Sequence, residues 1–146
     1  MNLSTHFTLA EFIATSHRGI DNTPSDAVLE ELRKTAAMLE DVRAMLKNPI
    51  NISSGFRCSA LNKAVGSKPT SKHVTGQAVD FTCRGYGSPL DVCKAIEASG
   101  IMFDQLILEF YNPATGTGWV HLGRSSSPRR QVLTINSHGT FAGLHP

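Results

Sequence analysis

Apolar positions along the chain follow two periodicities, and each marks a different kind of element. From Ala27 to about Lys47, the residues Leu29, Leu32, Ala36, Leu39, Val42 (or Arg43) and Leu46 recur at intervals of three and four. On a helix that spacing gathers them into one stripe, so the segment is predicted as a long amphipathic helix against a core. A shorter version follows Ser88, with Leu90, Cys93 and Ile96 inward and Gly100 as its stop. Polar residues set the starts. Thr8-Leu-Ala-Glu11 has the form of a capping box that opens a short helix, TLAEFIAT. Thr23-Pro-Ser-Asp26 repeats that form with Pro24 suited to the first helical position, and Ser88-Pro-Leu-Asp91 opens the last helix. The piece from Ser59 to Gly66 reads as a short helix ended by its glycine.

Between these helices the pattern shifts to short runs rich in β-branched, aromatic or alternating residues. Strands are predicted at Ile50–Ser53, Ala78–Cys83, Gln105–Tyr111, Trp119–Gly123 and Val132–Asn136. The run from Gly123 to Arg130 reads as an exposed loop. The mixture predicts an α+β fold, with helices packed on a small, largely antiparallel sheet. A single domain spanning residues 1–146 is expected.

Composition narrows the class. A chain of 146 residues can bury a real core, and 40% apolar with 18% charged residues is ordinary for a globular protein. A net charge of +2 gives no reason to expect a nucleic-acid partner. No apolar run approaches a membrane span, so no membrane insertion is expected. The start, MNLSTHFTLAEF, lacks the basic and apolar regions of a secretory signal, which predicts synthesis in a cytoplasm. Three cysteines (Cys58, Cys83, Cys93) without a C-x-x-C pair argue against a disulfide framework or a cysteine zinc site.

Candidate chemistry begins at SKHVTGQAVDF, where His73 precedes a strand and Asp80 lies within it. Downstream, FDQLILEFYNPATGTGWVHLG places two strand-like runs around a turn-forming NPATGTG. A hairpin symmetric about Thr115 sets Glu109 opposite His121 and Tyr111 opposite Trp119, with Glu109 and His121 on one face. A slip of one residue would put those two groups on opposite faces. His73, Asp80 and His121 then offer two imidazoles and a carboxylate, the ligand types of a catalytic zinc site that keeps one position for water. Glu109, beside His121 but not needed as a ligand, is placed to act as a general base. On spacing alone, a solvated loop histidine and strand aspartate remain the competing reading. His6, His17, His138 and His145 read as solvated loop or terminal residues.

The segments SSGFRCSALNKAVGS, SKHVTGQAVDF, DQLILEF and WVHLG, in that order, resemble the M15 zinc peptidases. The nearest branch holds bacterial and bacteriophage murein peptidases related to D-alanyl-D-alanine carboxypeptidases. HFTLAEFIAT and the capped helix ahead of SSGFR extend the likeness from about His6 to Gly123. The resemblance implies one zinc ion per chain on His73, Asp80 and His121, held on the sheet face. It also implies that Arg57 contacts substrate near the scissile bond, where a fork of donors suits a carboxylate or oxyanion; a surface charge at a strand end is the alternative. Ser71 is matched as a substrate- or metal-side hydroxyl, or else as a cap, and Trp119 as a cleft wall, or else as packing. Several members carry an acid three residues before the last histidine. Here that position is Gly118, and the Q-L-I-x-E pattern points to Glu109 instead.

The implied activity is hydrolysis of an amide bond in murein stem peptides, of L-alanyl–D-glutamate endopeptidase or D-alanyl–D-alanine carboxypeptidase type. A monomeric phage or prophage endolysin is expected, made in the cytoplasm and acting on the bacterial cell wall after release. Two other classes stay open: a zinc-containing murein-binding or virion-associated module that does not cut, and a structural protein that binds no stoichiometric zinc.

Overall fold

A computed structural model describes residues 1–146. In chain order the elements are α1 (Leu9–Ile13), α2 (Asp26–Leu46), β1 (Asn51–Ser54), α3 (Ser59–Ala64), a 3-10 turn (Lys72–Thr75), β2 (Ala78–Thr82), α4 (Pro89–Ala98), β3 (Gln105–Asn112), β4 (Thr117–Gly123), β5 (Gln131–Asn136) and β6 (Gly139–Ala142). No helix is long and apolar enough to cross a membrane.

The caps explain the helix starts. Thr8 accepts from the Glu11 amide while the Glu11 carboxylate accepts from the Thr8 amide, and Ser88 and Asp91 do the same for α4. At α2 the cap is one serine rather than the predicted threonine box. Ser25 accepts from the Val28 amide, and Pro24 lies ahead of the helix instead of opening it. The Thr23 hydroxyl is already committed to Asp21, at 2.6 Å. In the stripe of α2, Leu32, Ala36, Leu39, Val42 and Leu46 are buried as predicted. Leu29 packs at the rim of the core, as Leu90 does on α4, where Val92 joins Cys93 and Ile96 inside.

Six strands form one sheet in the order β1-β2-β4-β3-β5-β6. All neighbours are antiparallel except β3 with β5. Alternation gives the sheet two unlike faces. Val79, Phe81, Leu106, Leu108, Val120 and Leu122 share one core with α2 and α4. The opposite face carries the polar chemistry. Across it, register aligns Ser54, Asp80, His121, Ile107 and Leu133 in one row over β1, β2, β4, β3 and β5.

The β3–β4 hairpin departs from the symmetric one expected. Asn112 pairs with Thr117, then Glu109 with Trp119 and Ile107 with His121, so Glu109 is diagonal to His121 rather than opposite. Two displacements cause this. The turn itself is one residue off the symmetric register, which alone would send Glu109 and His121 to opposite faces. A bulge then sets Phe110 and Tyr111 against the single residue Gly118 and restores the parity. Phe110 takes a left-handed φ of 50° to make the bulge. Gly118, at φ +107°, leaves no room for a side chain, since a Cβ would meet Phe110 O and Tyr111 Cα at 2.7 Å.

The segment after β4 is tied down more firmly than an exposed loop. Arg124 donates to the Thr35 hydroxyl at 3.0 Å and pairs with Glu31 on α2. Arg129 donates twice to the buried Asp104 carboxylate at 2.8 Å, and Arg130 lies 4.5 Å above the Phe103 ring. Only its middle is exposed, and the chain then re-enters the sheet as β5 and β6.

Gly118→Ala is expected to cost clearly more stability than Gly66→Ala. Both glycines have positive φ, but a Cβ at Gly66 meets nothing within 4 Å. Strain alone costs on the order of 1 kcal/mol, and the bulge contact at Gly118 adds to it. Urea midpoints of the two variants measure the difference, and equal losses would remove the role given to the bulge.

Candidate metal centre

Three elements deliver three side chains to one point on the polar face. Asp80 sits on β2 directly opposite His121 on β4, a cross-strand pair set by backbone register. His73 comes from the 3-10 turn, which Ser71 caps by accepting from the His73 amide at 3.2 Å. Gly76, at φ 76°, ends that turn and lets the chain enter β2. All three side chains are buried, with 2%, 5% and 8% exposure for His73, Asp80 and His121. One ligand atom from each lies within 4.8 Å of the others.

The donor arrangement fits a cation. His73 Nδ1 lies 2.6 Å from the Gly55 carbonyl, which can only accept, so Nδ1 carries the proton. In a neutral ring, Nε2 then presents a lone pair to Asp80 Oδ1 at 3.2 Å. His121 Nδ1 approaches the same oxygen at 2.9 Å. A lone pair facing a carboxylate oxygen is repulsive unless a proton or a metal lies between them. An outer hydrogen bond that fixes the tautomer, as Gly55 does here, is the usual support of a metal-binding histidine.

Charge at the centre is tightly coupled. Burial opposes the ionised form of Asp80, but the charges and hydrogen bonds of His73 and His121 hold its carboxyl well below the usual range. Burial likewise opposes charging of His121, and the hydrogen bond and charge of Asp80 overcome it, raising the imidazole pKa. Glu109 Oε1 stands 3.6 Å from His121 Nδ1. Its pKa is pushed up by burial and by the charge of Asp80, against the opposing pull of His121, Trp119 and Arg57.

Arg57 is not a surface charge. Its guanidinium donates through Nε to Ser54 and through Nη1 to Asn62, each at 3.2 Å, and Nη2 lies 3.6 Å from Asp80 Oδ2. The chain around it is equally fixed. The Arg57 amide donates to the His73 carbonyl at 3.1 Å, and the Phe56 amide to the Phe12 carbonyl at the end of α1 at 2.7 Å. Gly55 must be glycine, because a Cβ would stand 2.4 Å from Phe12 O. Buried Asn22 completes the frame by donating to Phe56 O and accepting from the Cys58 amide. Cys58 in turn caps α3 through its sulfur, which accepts from the Leu61 amide.

A cleft of about 620 Å³ opens beside the centre, lined by Arg57, Glu109, Trp119, Phe110, Ser54 and His17 among others. Trp119 serves both readings given to it, as cleft wall and as packing against Phe110, whose ring centroid is 5.5 Å away. Its buried indole N–H finds no partner of hydrogen-bonding geometry, yet it lies close enough to Glu109 to favour the carboxylate. Sequence reasoning missed four supporting groups: Asn22, Ser54, the Gly55 carbonyl and Asn62. None belongs to a periodic pattern, and their partners lie on other elements. His17, read as a solvated loop residue, is exposed but stands on the cleft wall.

A helix-backed sheet that presents a buried His-Asp-His set beside a carboxylate and a guanidinium is the architecture of a metal-dependent hydrolase. The family model described as Peptidase M15 matches residues 5–122, and the chain belongs to that family. No curated protein matches the chain. Peptidases of this family are metal-dependent, in keeping with the donor set. The match spans α1 through β4 and stops before β5 and β6.

Adding a divalent transition metal is expected to raise the unfolding temperature at one ion per chain. A ligand at a hundred times its Kd stabilises by about 2.7 kcal/mol. His121→Ala and Asp80→Ala should each lose that rise, as read by calorimetry with metal analysis. An undiminished rise in both variants would place the metal elsewhere.

Proposed function

We propose that the chain is a zinc-dependent peptidase hydrolysing an amide bond in peptidoglycan stem peptides. The observation that carries this reading is the buried His73-Asp80-His121 set beside a cleft that Glu109 and Arg57 line. Two imidazoles and one carboxylate suit zinc better than magnesium or calcium, which prefer all-oxygen shells. Membership of the Peptidase M15 family and the motif resemblance support the substrate class.

His73, Asp80 and His121 would hold the ion. A zinc ion bound there supplies Lewis acidity toward a water nucleophile and the scissile carbonyl. Glu109 is the general base. It accepts a proton from the attacking water through Oε1 and returns it to the leaving amine nitrogen, which keeps the proton count balanced. Arg57 directs a guanidinium N–H toward the carbonyl oxygen as negative charge develops there. Ser54 and Asn62 fix its plane, so little reorganisation is needed at that moment. Trp119 and Phe110 form an apolar wall that limits water around Glu109.

Glu109→Gln should keep its metal yet lose turnover by about 10²- to 10⁴-fold. Mass analysis of muropeptides released from purified sacculi, with and without a chelator, measures this and identifies the bond. Full turnover in a metal-verified Glu109→Gln protein would reject Glu109 as the base. Stoichiometric zinc with no released muropeptide would point to a murein-binding module instead.

A further inference from the structure

A second cleft, of about 470 Å³, reaches His121, and Arg129, Leu133 and Ile135 bring to it a part of the chain outside the family match. Its floor is apolar. Ile107 on β3 and Leu133 on β5 continue the row that runs through Asp80 and His121, and Ile135 follows two residues on. Its rim is basic: Lys68 and Lys72 stand on the wall with Ser71, and Arg129 closes the end. No carboxylate lines it. Arg129 is engaged by Asp104, but Lys68 and Lys72 enter none of the molecule's ion pairs. The first cleft differs, since the acidic Glu109 and the two aromatic rings lie there. Ser67 lines both, and the second cleft reaches His121 itself while the first reaches the centre through Glu109 and Arg57, which stand 3.6 Å from His121 and Asp80 respectively.

We infer that this second cleft is a binding limb for a carboxylate-bearing residue of the substrate, walled by residues 67–72 on one side and by strand β5 and Arg129 on the other. An aliphatic stem would lie on Ile107, Leu133 and Ile135, with its carboxylate between Lys68 and Lys72. Substrate then continues past the metal centre on both sides, as a cut inside a peptide requires. This rests on the peptidase reading for the orientation of the substrate, but not for the recognition of the anion.

The test separates the two. Binding is measured by titration calorimetry on the zinc-loaded, full-length Glu109→Gln chain, which reads recognition without turnover. The probes are two stem-peptide fragments that differ only in a glutamyl residue, one with a free α-carboxylate and one with a carboxamide. The free acid should bind about fivefold more tightly at low salt, the range of two exposed charge contacts, and the preference should shrink as salt is raised. Adding Lys68→Gln and Lys72→Gln together should abolish the preference at unchanged zinc content, and Lys68→Arg with Lys72→Arg should keep it. No preference for the acid, no binding of either fragment, or a preference that survives loss of both lysine charges would overturn the inference. Failure of the wild-type chain to release muropeptides would count against the peptidase reading alone and leave the binding result standing.

Discussion

One buried carboxylate organises the functional half of this molecule. Asp80 Oδ1 faces both histidine rings, and Oδ2 faces the guanidinium of Arg57. An ionised group at 5% exposure is expensive to keep unless opposite charge and hydrogen bonds surround it. The surroundings here come from three separate places in the chain: β1 and the loop behind it, the 3-10 turn, and β4. Each is held by backbone bonds to its neighbour, so the carboxylate constrains the loops as much as the loops constrain it. The rigid frame around Gly55, Phe12 and Asn22 belongs to the same requirement. It keeps the Gly55 carbonyl against His73, and that contact decides which imidazole nitrogen faces the aspartate.

Division of labour between the two sheet faces makes this possible. The helix-covered face carries the hydrophobic stabilisation, with Phe81, Leu106, Leu108 and Leu122 sealed against α2 and α4. The polar face is thereby free to concentrate costly groups that add little to stability. Alternation along β2 and β4 does the sorting. Val79 and Phe81 go one way and Asp80 the other, while Val120 and Leu122 flank His121.

Much of this was legible in the sequence wherever a signal is local or periodic. The α2 stripe, the capping boxes at Thr8 and Ser88, and Gly66 as a helix end all depend on residues a turn apart. Strand β6 was not legible, because GTFA is exposed throughout and shows no alternation. The cap at Ser25 was misassigned because the competing Thr23–Asp21 bond leaves no trace in spacing. His73, Asp80 and His121 were named from motif and chemistry, and the fold brings them together. What joins Asp80 to His121 is the β2–β4 register, a long-range fact that no window of sequence contains. The supports Asn22 and Asn62 stayed invisible for the same reason: isolated amides acquire meaning only from partners on other elements.

The β3–β4 bulge has a wider meaning for how such a centre can vary. One inserted residue, relative to a regular ladder, performs two acts at once. It turns Glu109 toward the metal centre, and it presses backbone into the space where a side chain at position 118 would begin. The two positions are therefore not independent sites for a carboxylate. With the bulge present, β3 can supply the acid and β4 cannot, so the residues at 109 and 118 must change together with the length of the strand between them. A side chain at 118 meets the backbone that the bulge places there, so the two positions form one structural unit of the hairpin.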